Sequence, residues 1–316
     1  MTSKQFLIRV FAIVAVAGVA LVSLNATVDV YGLFRPVEGR QLGFFGEERL
    51  VKYLHSIRYV PENFDGVLLG SSVSDGLDTS AISGYKIYNA SINGGNAADA
   101  LPIAQHLFAA KHYRVAIVSV HRYLTLDHEA KTELMKPRQY WGALGSPQLL
   151  AAYISKAAVD AGVRSPAFLN SGALRHDAPA AGTSGDAIRK TVEQIRQGKA
   201  SIANFDIDEK ALQDVNQVLS LARTHSDRLL IYFPPSPSAI LDLTKGPYTA
   251  YTGRIRTLLT PADTVLDFNG LGYEGLRSDE ANFDDGVHPS PAGERLLVQE
   301  LDRVLNGKTA LRSSAQ

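Results

Sequence analysis

Two stretches far apart in the chain carry side chains that together suit one kind of chemistry. The first is residues 64–78, FDGVLLGSSVSDGLD, where an apolar run over 67–69 stops at Gly70-Ser71-Ser72. The second is Asp285-Gly286-Val287-His288, within FDDGVHPSPAGERLL. A serine hydroxyl is a weak nucleophile and needs a neighbouring base to take its proton. An aspartate three residues before a histidine, just ahead of a helix, lets the imidazole reach that hydroxyl while the carboxylate holds its other ring nitrogen. This spacing predicts Ser72 as nucleophile, His288 as base and Asp285 as the group that orients it. A third stretch, residues 89–95 (NASINGG), offers backbone N–H groups to a developing oxyanion. Gly94 can approach closely because no side chain intervenes, and the N–H of Ser72 or Val73 would be a second donor.

The elements around these stretches read as a parallel sheet, which can bring them together. Residues 67–70 read as the end of a buried strand, and a hydroxyl-rich turn there lies where open α/β sheets place their chemistry. Residues 85–89 (YKIYN) give a second strand, followed by a glycine-rich loop and a helix over 97–111. Residues 114–120 (RVAIVSV) are apolar throughout the interior, as a central parallel strand should be. Strand, loop, helix and strand in that order imply right-handed crossovers. Residues 229–233 (LLIYF) and 265–268 supply the fourth and fifth strands. Helical periodicity marks residues 47–59, ended by Pro61 and Asn63, and also 208–224, 254–259 and 291–305. Between 127 and 205 no buried strand run occurs. Helical stretches at 148–159 and 188–197 make this a helical insertion above the sheet. The irregular residues 31–45, rich in Gly, Pro and aromatics, read as a connector.

Residues 6–24 are apolar apart from Arg9, Gly18 and Ser23. With Arg9 snorkelling and residues 25–28 added, they can supply the roughly 20 residues that cross a bilayer. Leu24 is a poor match to a small residue three positions before a cut after Ala26, so an uncleaved anchor is expected over a cleaved signal. The layout expected is therefore an anchor over 1–30, a connector and first helix over 31–63, and an α/β domain over 64–306. The insertion spans about 127–205 within that domain, and 307–316 form a flexible tail. The 316 residues carry no net formal charge and no basic stripe, so no nucleic-acid partner is expected. The absence of cysteine excludes a disulfide scaffold, thiol catalysis and thiolate metal sites. His121, Asp127 and His128 have no third ligand at a diagnostic spacing, so neither metal nor cofactor is expected.

Taken in order, these blocks resemble those of the SGNH (GDSL-type) hydrolases. Gly70-Ser71-Ser72-Val73-Ser74 stands for the serine block, Asn89-Ala90-Ser91-Ile92-Asn93-Gly94 for the glycine block, and Asp285 with His288 for the last. A membrane-anchored subgroup is resembled further, through Val28-Asp29-Val30-Tyr31-Gly32, the GSS loop and the YFPP turn at 232–235. The resemblance implies a three-layer α/β/α fold with a five-stranded, mainly parallel, flavodoxin-like sheet. It also implies a serine esterase acting on ester-linked, notably acetyl, groups of a cell-envelope or extracellular polysaccharide. The alternatives are an O-acetyltransferase using the same residues and a catalytically silent polysaccharide-binding module. The implied setting is a bacterial inner membrane crossed once, with the domain in the periplasm or outside the cell. The implied partners are an acylated saccharide and membrane proteins of polysaccharide biosynthesis. Two departures stand out. Ser71 replaces the acidic residue before the nucleophile, and Ser119-Val120-His121-Arg122-Tyr123 lacks the Asn that donates to the oxyanion. Asn93, Asn96, His121 and Arg122 are the candidates for that missing donor or for substrate contact.

Overall fold

Five short apolar segments form one sheet in the computed structural model, which describes residues 2–128, 133–175 and 183–307. They are β1 (Gly66–Leu69), β2 (Ile87–Asn89), β3 (Val115–Ser119), β4 (Leu229–Phe233) and β5 (Thr264–Asp267). The order is β2-β1-β3-β4-β5 and every pairing is parallel. All residues of β1, β3 and β4 are buried, which explains their unbroken apolar runs. Side chains alternate between two cores. Val67, Leu69, Ala116, Val118, Ile231 and Phe233 face one, while Leu68, Val115, Ile117, Leu230 and Tyr232 face the other. The strand order reverses between β1 and β3, and the crevice beyond their carboxyl ends is where such sheets hold ligands.

The helices that cover the sheet follow in chain order. They begin with α1 (Ser3–Val28), α2 (Glu48–Ile57), α3 (Tyr59–Asn63) and α4 (Ala97–Ala110). After β3 comes α5 (Arg122–Thr125), and the insertion contributes α6 (Arg138–Gly142), α7 (Pro147–Asp160) and α8 (Thr183–Arg196). The remainder are α9 (Glu209–Thr224), α10 (Ser238–Arg256), α11 (Glu274–Ser278) and α12 (Pro291–Leu305). Helices α2, α4 and α9 pack on the first core, and Leu297, Val298, Leu301 and Leu305 of α12 cover the second. This is the expected three-layer α/β/α arrangement with an apolar amino-terminal helix. Among the described residues of the insertion the only β pairing is an isolated bridge between Phe168 and Leu174. The tail expected at the carboxyl end falls, apart from Gly307, outside the described residues.

Three expectations need correction. Residues 31–45 are not a loose connector, because Tyr31, Leu33, Val37, Leu42, Phe44 and Phe45 are buried in the main core. Asp29 fixes the entry of that segment: its carboxylate accepts from the N–H groups of Leu33, Phe34 and Arg35 at 2.7, 3.2 and 2.9 Å. Pro61 does not end helical structure either. It lies in the first turn of α3, where a missing N–H leaves no bond unmade. Finally, α10 begins at Ser238 rather than near Arg254, with Pro247 inside it.

One core histidine makes stability depend on pH. His55 on α2 is fully buried, with Nδ1 3.1 Å from the Tyr88 hydroxyl, and burial pushes its pKa down to about 3. The unfolded chain takes up a proton near the ordinary 6.5 that the folded chain refuses. Its contribution to stability is therefore complete above that value and is lost as pH falls toward 3. Unfolding is expected to grow easier by about tenfold in equilibrium constant per pH unit in that window from this residue alone. Urea midpoints recorded across the window should decline less steeply in His55→Phe than in the natural protein.

Candidate active site

The serine loop is shaped by what surrounds Gly70. A Cβ there would stand 2.7 Å from Ser74 Oγ, 2.8 Å from Ser119 Cβ and 3.1 Å from Ser91 Oγ, so the loop leaves β1 through a position with no room for a side chain. Beyond it, Ser74 N–H donates to Ser71 C=O at 3.0 Å, and Ile92 N–H to Gly70 C=O at 3.2 Å. The turn is held from within by Asn89, fully buried at the end of β2. Its Nδ2 donates to the carbonyls of Ser74, Leu77 and Asp75 at 2.7, 3.1 and 3.2 Å. Replacing Asn89 by alanine leaves these buried acceptors without that donor. Stability should fall by about 1–3 kcal/mol, read as a lower midpoint in urea unfolding.

The second loop is closed at both ends. Asp284 N–H donates to His288 C=O at 2.9 Å, and Ser290, the N-cap of α12, donates from its own N–H to Asn282 C=O at 2.9 Å. Within the loop, Asp285 Oδ1 accepts from the N–H groups of Val287 and His288 at 2.6 and 2.8 Å. Asp285 Oδ2 lies 3.0 Å from His288 Nδ1, and His288 Nε2 lies 3.0 Å from Ser72 Oγ. Partial burial pushes the Asp285 carboxyl up, but hydrogen bonding and charge from His288, with the loop N–H groups, outweigh it and hold its pKa below the ordinary value. An ionised Asp285 accepts the proton on Nδ1, which leaves Nε2 as the acceptor facing the Ser72 hydroxyl. Such a string can move a proton from Ser72 to His288 and return it to a leaving group.

Ser72, Asn93, Asp285 and His288 share the wall of an open cavity of about 420 Å³. Asp75, Asp284 and Arg175 complete that wall, and none was singled out from sequence. Asp75 and Asp284 sit beside residues that were, so proximity in the chain was the available signal. Arg175 comes from the insertion, and no motif marks it. It also lines a second, larger cavity of about 800 Å³, which runs beside α12 past Asp78, Glu294, Arg295, Gln299 and Asp302.

The remaining candidates are placed as follows. Gly94, at φ +61°, forms the exposed tip of a turn closed by Gly95 N–H to Ile92 C=O at 3.0 Å. It is Asn93, its neighbour, that reaches the cavity wall. Helix α2 steadies this turn: Glu48 Oε2 accepts from Asn93 N–H at 3.2 Å, and the buried Lys52 ammonium bonds to Glu48 and to Ser91 C=O. Val73 is buried behind Ser72. Asn96 is buried and caps α4 in a reciprocal capping box with Asp99. Arg122 is also buried; its Nη1 donates to Ser201 and Asn204 carbonyls at 2.7 and 3.1 Å, and its guanidinium lies 4.0 Å from the Tyr123 ring centre. That commits Arg122 to holding the insertion on the sheet. His121 follows the end of β3 and lines a small cavity with Val287 and Gly286. Burial first, then the charges of Arg122 and His288, push its pKa well down, so its ring is neutral. Among the described residues no three His, Cys, Asp or Glu side chains gather as a metal ion would require.

No protein-family model matches the chain, and no curated protein matches it. Among solved structures, the chain is similar to one provisionally assigned as a platelet activating factor from Streptococcus pneumonia. The TM-score is 0.44 at 11% identity, over 82% of this chain and 92% of that one. It is also similar to the acetyl xylan esterase Est2A from the rumen bacterium Butyrivibrio proteoclasticus. There the TM-score is 0.32 at 10% identity, over 77% of this chain and 63% of that one.

Proposed function

We propose that this chain is a serine ester hydrolase, anchored by α1 and acting on acyl esters, notably acetyl esters, of a saccharide outside the cytoplasm. The observation that carries the reading is the string Ser72 Oγ, His288 Nε2, His288 Nδ1, Asp285 Oδ2, with 3.0 Å at each hydrogen bond, opening on a cavity of about 420 Å³. Ser72 Oγ attacks the ester carbonyl while His288 Nε2 takes its proton. Asp285 stabilises the imidazolium that results. His288 then protonates the departing alcohol, leaving an acyl group on Ser72. Water, deprotonated by His288, releases the acid and restores the serine. The N–H of Val73, with Gly94 and the Asn93 amide from the neighbouring turn, is proposed to hold the oxyanion. A sugar hydroxyl in place of that water would make the same acyl-enzyme an O-acyl donor.

Two features support the finer parts of this reading. The larger cavity, which shares Arg175 with the site, sets Asp78, Glu294, Arg295, Gln299 and Asp302 among apolar residues such as Leu169, Leu174 and Val298, a mixed wall that suits the hydroxyls and ring faces of a saccharide. The end of α1 is built into the domain: Asn25 is buried, its Nδ2 donates to Leu144 C=O at 2.6 Å, and the Tyr153 hydroxyl donates to its Oδ1 at 2.9 Å. A cut after Ala26 would remove these bonds, which favours a retained anchor. The test is to give the full chain in detergent 4-nitrophenyl acetate and then an acetylated oligosaccharide. A burst of nitrophenolate followed by steady turnover, and acetate release from the sugar, are expected. No burst and no acetate from either substrate would overturn the hydrolase reading.

A further inference from the structure

Helix α7 carries an apolar stripe that none of the described residues covers. Pro147, Leu150, Ala151, Ile154 and Ala157 recur at spacings that place them on one arc of the helix, and all five are exposed. Leu150 and Ile154 are 61% and 64% exposed, and Trp141, one short turn earlier on α6, is 68% exposed. The opposite side of α7 packs inward through Leu149 and Ala152. No charge interrupts the outward arc, because Lys156 and Asp160 pair with each other at 2.6 Å on another side. An uncharged stripe of this size, ended by an exposed indole, calls for a cover.

What covers it follows from where α7 starts. Leu144 C=O accepts from Asn25 of α1, and a Cβ on Gly145 would stand 3.7 Å from Leu21 Cδ2. The amino-terminal end of α7 therefore sits level with Leu21 to Asn25, the last turns of the apolar run of α1. Helix α1 has 26 residues and an exposed apolar surface along almost its whole length. At 1.5 Å per residue it exceeds the roughly 30 Å hydrocarbon layer. A bilayer enclosing α1 up to that level must also meet the segment that touches it. Tryptophan favours that boundary, and a helix with one apolar arc lies in its plane.

We infer that α6 and α7 form a second lipid contact, with Trp141, Leu150 and Ile154 seated at the headgroup boundary beside α1. The domain then stands on the membrane on two supports, with a fixed tilt instead of swinging from a tether. This inference rests on α1 being a membrane anchor and is independent of the chemistry at Ser72.

The sequence contains a single tryptophan, so intrinsic indole fluorescence reports on this patch alone. The full chain is reconstituted in phosphatidylcholine vesicles and in matching vesicles brominated on the upper acyl carbons. Bromolipid should quench the emission by about twofold or more. In Leu150→Glu combined with Ile154→Glu, checked for folding by circular dichroism, that quenching should be largely lost. Protein that floats with the vesicles but is not quenched overturns the lipid contact and leaves the anchor standing. Protein that does not float overturns both. Quenching that persists unchanged in the double variant overturns the part assigned to α7.

Discussion

Alanine in place of Ser72 is expected to cut ester turnover by about 10⁴- to 10⁶-fold, with little change in thermal unfolding. The size follows from the role proposed for the hydroxyl. Without it no covalent intermediate forms, and the oxyanion donors and His288 are left to assist water alone. The structural cost is small, because Ser72 Oγ is bonded to His288 Nε2 at the cavity wall and supports none of the backbone bonds that shape the loop. Its neighbours do not offer a substitute: Ser71 and Ser74 are 0% and 1% exposed, with Ser74 packed against Gly70. Acetate release from an acetylated sugar, measured for both proteins at equal concentration, reads the effect. Equal rates would remove Ser72 from the chemistry.

Asp285→Asn should lower kcat by about 10⁴-fold while leaving KM nearly unchanged. Asparagine can still accept the Val287 and His288 N–H groups through its Oδ1, so the loop keeps its form. The amide nitrogen that replaces Oδ2 faces His288 Nδ1 as a donor and forces the imidazole proton onto Nε2. In that tautomer Nε2 can no longer accept from Ser72. The natural carboxylate, with its pKa held below the ordinary value, stays ionised through the neutral range and keeps the proton on Nδ1. A rise in KM with an unchanged kcat would instead make Asp285 a substrate ligand. The Asn89→Ala and His55→Phe expectations are independent of both, since they concern stability.

The sheet was readable because β1, β3 and β4 are buried on both faces and show it as uninterrupted apolar runs. Helix α12 was readable because Ser290 and Pro291 mark its start and its leucines keep helical spacing. The meeting of Ser72 with His288 was legible for a related reason: each follows a recognisable element, β1 for one and the start of α12 for the other. What escaped reading had no local signal. Residues 31–45 look like a linker in composition, yet their aromatics find a core made by α2 and the insertion, a tertiary fact without periodicity. Helix α10 extends upstream of the 254–259 stretch through Gly246 and Pro247, residues that weaken a local helix signal, and packing of Tyr251 and Ile255 into the core holds it. Arg175 reaches the cavity from a segment whose own sequence carries no motif. Arg122 looked like a substrate ligand because of its position after β3, but its burial turns the guanidinium to backbone carbonyls.

The most direct measurement uses a fluorophosphonate, which phosphorylates a serine only when a neighbouring base has made its oxygen nucleophilic. The full chain is treated at neutral pH, digested and mapped by mass spectrometry. Modification is expected on Ser72 and nowhere else, and it should disappear in His288→Ala. A folded protein that stays unmodified, or one labelled at another serine, would contradict the activation of Ser72 by His288.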